Sequence, residues 1–299
     1  MASVSQGIAS ELSVLKGTDF ISSADLTSKQ TLALLDLAKQ LKSGNRRIDL
    51  GNRVLGLIFK KASTRTRVSF QVAIARLGGQ TVNLDPQSSQ LGRGEPLQDT
   101  ARVLSRYCDA LAIRTYSQDE LIDYAKWSSI PVINALTDLE HPCQALADFL
   151  TVQESFGSLR DKTLAYVGDG NNVSHSLMLC GALLGVNIKI ISPKGFEPCS
   201  KIVKKARSLA INGASIDISN NPLEAVEGAN AIYTDVWASM GQESEQIERE
   251  KVFKDFSVNE KLLQKADPDA IVLHCLPAHR SEEISNGVME SESSRIFDQ

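Results

Sequence analysis

The feature that most constrains this chain is a repeating alternation of short apolar runs and helix-spaced segments. VLGLIF (54–59), TVNL (81–84), ALAIR (110–114) and PVINA (131–135) have the length and β-branched content of buried strands. Helical spacing runs through Thr27–Lys42, and between the runs through Val68–Leu77, Ala101–Tyr107 and Glu120–Trp127. Strands separated by helices pair in parallel, because the crossover needs a helix's worth of chain. A second series follows: TLAYVG (163–168), IKIIS (188–192), SIDIS (215–219), AIYTDV (231–236) and AIVLHC (270–275), again with helices between. The predicted fold class is α/β: two doubly wound domains, each a mainly parallel sheet flanked by helices. No sequence repeat relates the two halves.

With 299 residues, 42% of them hydrophobic, two cores are expected. The boundary is placed at the long helix pattern Pro142–Phe156 and the loop GSLRDK behind it, giving domains 1–149 and 150–299. The N-terminal stretch MASVSQGIASELSVLKG reads as a short frayed lead-in. It lacks arginine and an apolar run long enough for a signal segment or membrane span. The charge run GQESEQIEREKVFKDF (241–256) reads as a solvated loop or helix face. Five cysteines without CxxC spacing, at 108, 143, 180, 199 and 275, fit reduced thiols in the cytoplasm. No clustered Cys/His ligand set is visible, so no metal is expected. A net charge of −4 argues against nucleic acid or an acidic membrane surface as partner, so any anion site must be local.

Such a site is suggested by FKKASTRTRVSF (59–70). Ser63, Thr64, Arg65 and Thr66 fall where the strand ending at Phe59 passes into a helix. Free backbone N–H groups, hydroxyl donors and a guanidinium suit a phosphate there. An ordinary Ser/Thr N-cap followed by surface arginines is the other reading. It is not a Walker loop, whose glycines and Gly-Lys-Ser/Thr ending are absent. HPCQ (141–144) opens the next long helix, and Arg114 ends its own strand. Both therefore fall on the C-terminal sheet edge, where ligands bind in open α/β sheets. In the second half VGDGNNVSHS (167–176) has glycines after a strand, but Val173 replaces the third glycine of a dinucleotide fingerprint and no acid ends the next strand. Asn171 and Asn172 suit a polar ligand such as an amino acid instead. Asp235 and Cys275 end two further strands, with Ser239 and Met240 in the loop after the first. A carboxylate beside a thiol could hold an alkyl ammonium, while a capping Asp and a packing Cys are the structural alternatives.

STRTR, HPCQ, GDGNN, DVWASMG and HCLP, in this order and at these separations, resemble the ornithine carbamoyltransferases of the aspartate/ornithine carbamoyltransferase superfamily, over nearly the whole chain from about Leu15 to Gln299. The resemblance implies a carbamoyltransferase-like two-domain fold, with carbamoyl phosphate held by domain 1–149 and L-ornithine by domain 150–299. It implies that Ser63, Thr64, Arg65 and Thr66 bind the phosphate, that Arg114, His141 and Gln144 surround the carbamoyl group, and that Gln90 reaches a neighbouring subunit's site. Asn172, Asp235, Ser239 and Met240 are implied ornithine contacts, and Cys275 and Leu276 line the place where the substrates meet. Arg114, His141, Asp235 and Cys275 are the implied catalytic set. The implied reaction gives L-citrulline and phosphate, in arginine biosynthesis or a urea-cycle type step, in a cytoplasmic homotrimer without cofactor. The resemblance further implies a C-terminal segment beyond RIFDQ, with an Arg on carbamoyl phosphate and a closing helix. Other readings are a carbamoyltransferase for another amine, a truncated, weakly active or inactive homologue serving as a binding or assembly partner, and a nicotinamide-dependent dehydrogenase.

Overall fold

A computed structural model describes residues 2–85, 90–238 and 246–299. The chain divides into two compact units, Met1–Cys143 and Gln144–Gln299. Its elements, in order, are α1 (Ala2–Ser13), α2 (Ser28–Lys42), β1 (Val54–Phe59), α3 (Arg65–Arg76), β2 (Gln80–Leu84), α4 (Leu97–Leu104), β3 (Ala110–Arg114), α5 (Gln118–Trp127), β4 (Val132–Leu136) and α6 (Pro142–Phe156). The second series is β5 (Thr163–Val167), α7 (Asn172–Leu184), β6 (Asn187–Ile191), α8 (Ser200–Leu209), β7 (Ile216–Ser219), α9 (Pro222–Ala225), β8 (Ala231–Thr234), α10 (Gln246–Phe253), α11 (Glu260–Leu263), β9 (Ile271–His274) and α12 (Asn286–Met289).

The first sheet has the order β2-β1-β3-β4 and the second β7-β6-β5-β8-β9, with every pairing in both parallel. Strand alternation sorts the first unit's core into two layers. Leu55, Leu57, Phe59 and Ala112 pack with Phe70 and Ile74 of α3, while Ile58, Leu111 and Ile113 face Leu104, Leu121 and Tyr124 of α4 and α5. In the second unit Val167, Ile191, Ile232 and Val272 form one core with Phe253, Val288 and Ile296.

The strand order fixes where ligands can enter. In the first sheet the order in which strands are added reverses between β1 and β3, since β2 lies on one side of β1 and β3 on the other. The second reverses between β5 and β8. At such a switch point neighbouring loops leave in opposite directions and open a crevice at the carboxyl ends of the strands.

Two segments differ from the sequence reading. The N-terminal stretch is helical over Ala2–Ser13 rather than a frayed lead-in. Alanine, glutamine, glutamate and leucine in this stretch favour a helix, a propensity that a search for apolar runs overlooks. The charge run is not simply solvated: α10 and the 3-10 turn behind it bury Phe253 and Phe256, and Arg249 is only 7% exposed. Phe253, at the end of a mostly polar helix, supplies the anchor.

Candidate active site

At the first unit's switch point, β1 leads through Lys60–Ser63 into α3, and Arg114 ends the adjoining strand β3. The β3–β4 register shifts between Ile113 and Arg114, a local irregularity of the kind that re-aims a side chain at a sheet rim. Arg114 Nη1 donates to Thr66 Oγ1 at 3.4 Å, bringing the strand end and the helix start together. Ser63 Oγ accepts from the Thr66 backbone N–H at 3.3 Å, while Thr64, at the N-cap, makes no side-chain cap bond. One hydroxyl therefore caps the helix, and Thr64 and Arg65 stay exposed. Arg65 has no hydrogen-bond or ion-pair partner among the described residues. Arg67, next in the run, stacks its guanidinium over the Phe59 ring with 5.2 Å to the centroid.

His141 is buried, and its imidazole pKa falls to about 3, first through burial and then through the Arg114 charge. The ring is therefore neutral at physiological pH and can donate a hydrogen bond without adding charge. Lys61 is lowered as well, by burial and then by Arg114, with Asp138 opposing. Its ammonium lies over the Tyr116 ring, 4.4 Å from the centroid, whereas Lys60 pairs with Glu120. Reading the sequence for motifs passed over Lys61, although it stands two residues before the STRTR run. Burial first and the Arg114 charge second thus make both groups hold protons less readily, beside a local run of cationic side chains in a chain of negative net charge. Gln90 opens an exposed 3-10 turn, Gln90–Arg93, in the same unit.

At the second unit's switch point the polar groups are buried and interlocked. Asn171 caps α7, its Oδ1 accepting from the Val173 and Ser174 N–H groups at 3.0 and 3.2 Å. Its Nδ2 donates to Asp235 Oδ2 at 2.8 Å, and the Tyr166 hydroxyl donates to Asn171 Oδ1 at 3.2 Å. Asn172, the expected ligand contact, begins the helix itself and Asn171 is the cap. The Cys275 thiol donates to Asp235 Oδ1 at 3.1 Å, and the Val236 N–H donates to the same oxygen at 2.8 Å. Burial and then the Asp235 charge push the thiol well above its usual range, so it is a neutral donor rather than a nucleophile. Asp169, pushed up by burial and held by Arg249 at 2.7 Å, adds a second carboxylate near Asp235. Arg249 also donates to the Trp237 carbonyl at 2.8 Å, tying the loop after β5 to the loop after β8. Ser239 and Met240 lie outside the described residues.

Leu276 sits at φ 58°, in the left-handed region that a γ-branched residue seldom adopts. Its N–H donates to His274 Nδ1 at 2.9 Å, while His274 Nε2 and Glu283 Oε1 lie 3.0 Å apart, both side chains fully buried. The HCLP turn is thus held from beneath. Ligand atoms of Asp235, His274 and Cys275 fall within 4.8 Å of one another. Chain spacing did not reveal that grouping, because the Asp arrives from a different strand. Its members bond to each other, to Glu283 and to backbone. The glycines of GDGNN serve packing: Gly170 donates to the Phe196 carbonyl at 2.8 Å, and a Cβ there would meet the Pro198 nitrogen at 2.2 Å. The following loop therefore occupies the approach that a dinucleotide pyrophosphate needs.

Comparison with known proteins follows these same halves. Residues 18–154 match the carbamoyl-P binding domain of aspartate/ornithine carbamoyltransferases, and residues 160–299 match the Asp/Orn binding domain. An ornithine carbamoyltransferase of Prochlorococcus marinus (strain MIT 9313) is 71% identical over all of this chain and 94% of its own length. That of Thermosynechococcus vestitus is 56% identical over 96% of this chain and 93% of its own. Among solved structures, ornithine carbamoyltransferase from Pyrococcus furiosus superposes with a TM-score of 0.91 at 46% identity, covering 95% of this chain and 92% of that one. The Gloeobacter violaceus enzyme gives 0.86 at 51% identity, covering 94% and 92%.

Proposed function

The chain belongs to the aspartate/ornithine carbamoyltransferase family, and from that premise we propose that it transfers the carbamoyl group of carbamoyl phosphate to the side-chain amine of L-ornithine, giving L-citrulline and phosphate. The observation that carries the reading is the positive charge gathered at the first switch point, where exposed Arg65 opens α3 and Arg114 reaches the Thr66 hydroxyl at 3.4 Å. A dianionic phosphate on an activated carbonyl is the ligand that relieves it. In this reading domain 1–149 binds carbamoyl phosphate: Ser63, Thr64, Arg65 and Thr66 hold the phosphate, while Arg114 and neutral His141 donate to the carbonyl oxygen as negative charge develops there. Gln144, Cys275 and Leu276 address the carbamoyl end. Domain 150–299 binds ornithine through Asn172 and Asp235, together with Ser239 and Met240.

Asp235, buried and accepting among the described residues from neutral donors only, suits an ammonium group of a dibasic amino acid, whereas Asp169 is already paired with Arg249. The amine, with a free pKa near 10.4, sheds a proton before attack. Its nitrogen bonds to the carbonyl carbon, the carbon–oxygen bond to phosphate breaks, and the departing phosphate takes the second proton. The residues orient and polarise, so no covalent enzyme intermediate is required.

Assembly as a homotrimer, with Gln90 reaching a neighbouring site, is supported by the surface of the first unit. Helix α3 has no buried residue, and Val68, Val72 and Val82 on α3 and β2 are 49%, 43% and 45% exposed. A cytoplasmic place in arginine biosynthesis agrees with five cysteines that form no disulfide. No helix among the described residues is long and apolar enough to cross a membrane.

Citrulline formation by the purified chain, with ornithine and aspartate offered in parallel, tests the reading. Turnover is expected with ornithine and not with aspartate; turnover with aspartate alone would overturn the acceptor assignment.

A further inference from the structure

One buried carboxyl has no part in the chemistry above. Asp148 lies on α6 one turn beyond Gln144 and is fully buried. Its Oδ1 accepts from Gln144 Nε2 at 2.8 Å and from Gln299 Nε2 at 2.6 Å, and its Oδ2 has no hydrogen-bond partner by geometry among the described residues. The Tyr233 hydroxyl lies against this carboxyl and against the Cys275 thiol. Gln299 links the same groups, its Nε2 reaching the Tyr233 hydroxyl at 3.1 Å and its Oε1 accepting from the His274 N–H at 3.0 Å. The connections run from Gln144 on the helix to Cys275 at the end of β9.

A glutamine amide has a donor end and an acceptor end, and its partners decide which one a ligand meets. Asp148 engages the donor end of Gln144. The acceptor oxygen is left for a ligand, and a carbamoyl NH₂ is a group that needs acceptors. We propose that Asp148 is a positioning residue for carbamoyl transfer: it fixes the Gln144 amide with its oxygen towards the carbamoyl NH₂ and joins that amide, through Tyr233, to the strand end carrying Cys275. The inference rests on the assignment of Gln144 to the carbamoyl group made above. Burial pushes the Asp148 carboxyl up to about 7, with the Gln144, Gln299 and Tyr233 hydrogen bonds opposing and Asp235 adding to the rise. A neutral carboxyl still presents one acceptor oxygen, so the oxygen rather than the charge is what Gln144 uses.

The test is a double-mutant cycle on kcat/KM for carbamoyl phosphate at saturating ornithine, with Asp148→Ala, Asp148→Asn and Gln144→Ala in the full chain. Asp148→Ala is expected to lower kcat/KM on the order of 10- to 100-fold, as loss of a group that orients a ligand-contacting side chain does. Asp148→Asn, isosteric and still an acceptor, is expected to stay within about 3-fold of the parent. In the Gln144→Ala background Asp148→Ala should cost no more than about 3-fold, because the group it orients is gone. Equal loss in both backgrounds, no loss from Asp148→Ala, or an Asn variant as poor as Ala would overturn the proposal. Should the Ala variant not fold, the Asn variant decides, and a tenfold loss there counts against it. Gln144→Ala with unchanged kcat/KM would instead sink the assignment of Gln144, separating that failure from this one.

Discussion

Both switch-point crevices lie where the strand order of a parallel sheet reverses, but their construction is opposite. In the first unit the groups around the helix start are cationic and partly exposed: Arg65 has no partner among the described residues, Lys61 is half-buried, and no residue of α3 is fully buried. In the second, Asp235 is buried and accepts from Asn171, Cys275 and the Val236 N–H, Asp169 is paired with Arg249, and every residue of α7 from Val173 to Leu184 is buried. The first site is ready for an anion that brings its own hydration and charge. The second has already exchanged water for an internal hydrogen-bond network, so its selectivity rests on geometry and its integrity on every member being satisfied. The difference teaches that electrostatic attraction and shape-fixed recognition can be divided between two doubly wound sheets of different strand order.

The contrast can be broken most severely at Arg249. Removing it in Arg249→Ala strands the Asp169 carboxylate beside Asp235 in a buried setting, and stability should fall by roughly 3–5 kcal/mol. Chemical denaturation monitored by tryptophan fluorescence measures this; a loss below about 1 kcal/mol would mean that the pair is solvated after all. Next comes Arg114→Leu, which removes the source of positive potential in the first unit. It should lower kcat/KM by about 10²–10³, as loss of a donor to a developing oxyanion does, while leaving the denaturation midpoint near the parent's. A comparable loss of stability would show that Arg114 is structural.

The smallest effects are in pH dependence, and the two units give opposite signs. Burial and the Arg114 charge lower the pKa of folded His141 from the ordinary 6.5 to about 3, so the unfolded chain binds the extra proton between those values. It therefore adds stability above pH 6.5 that is lost as pH falls towards 3. Asp148 titrates near 7 folded against 3.8, so the folded chain binds the extra proton, and its contribution grows as pH falls from 7 towards 3.8. Against the parent, His141→Asn should be relatively better off at pH 5 than at pH 7.5, and Asp148→Asn relatively better off at pH 8 than at pH 5. Melting temperatures of both variants across that range check the signs.

The rim residues were legible because they follow a rule of position. Once β1, β3, β8 and β9 are recognised as apolar runs, whatever stands at their C-terminal ends lies on the binding edge, and Arg114, Asp235 and Cys275 stand there. Strand limits shifted by a residue at most sites, as at β4, which covers Val132–Leu136 rather than 131–135. What could not be read was the layer beneath. Tyr166 and Tyr233 occupy apolar strand positions and look like core, yet their hydroxyls join Asn171, Asp148 and Cys275; only the β5–β8 pairing stacks the two rings, at 5.9 Å between centroids. Asp148 within ALADF looks like a solvent-side acid until the helix is docked. Partners distant in sequence, such as Arg249 and Asp169, leave no periodic trace.

The division of labour is tested most directly by measuring both Michaelis constants for Arg65→Ala and Asp235→Asn side by side. Arg65→Ala should raise the KM for carbamoyl phosphate about tenfold or more, with the ornithine KM within about threefold, and Asp235→Asn should do the reverse. Equal shifts of both constants in either variant would contradict a cationic first unit that binds phosphate and an acidic second unit that binds the amine.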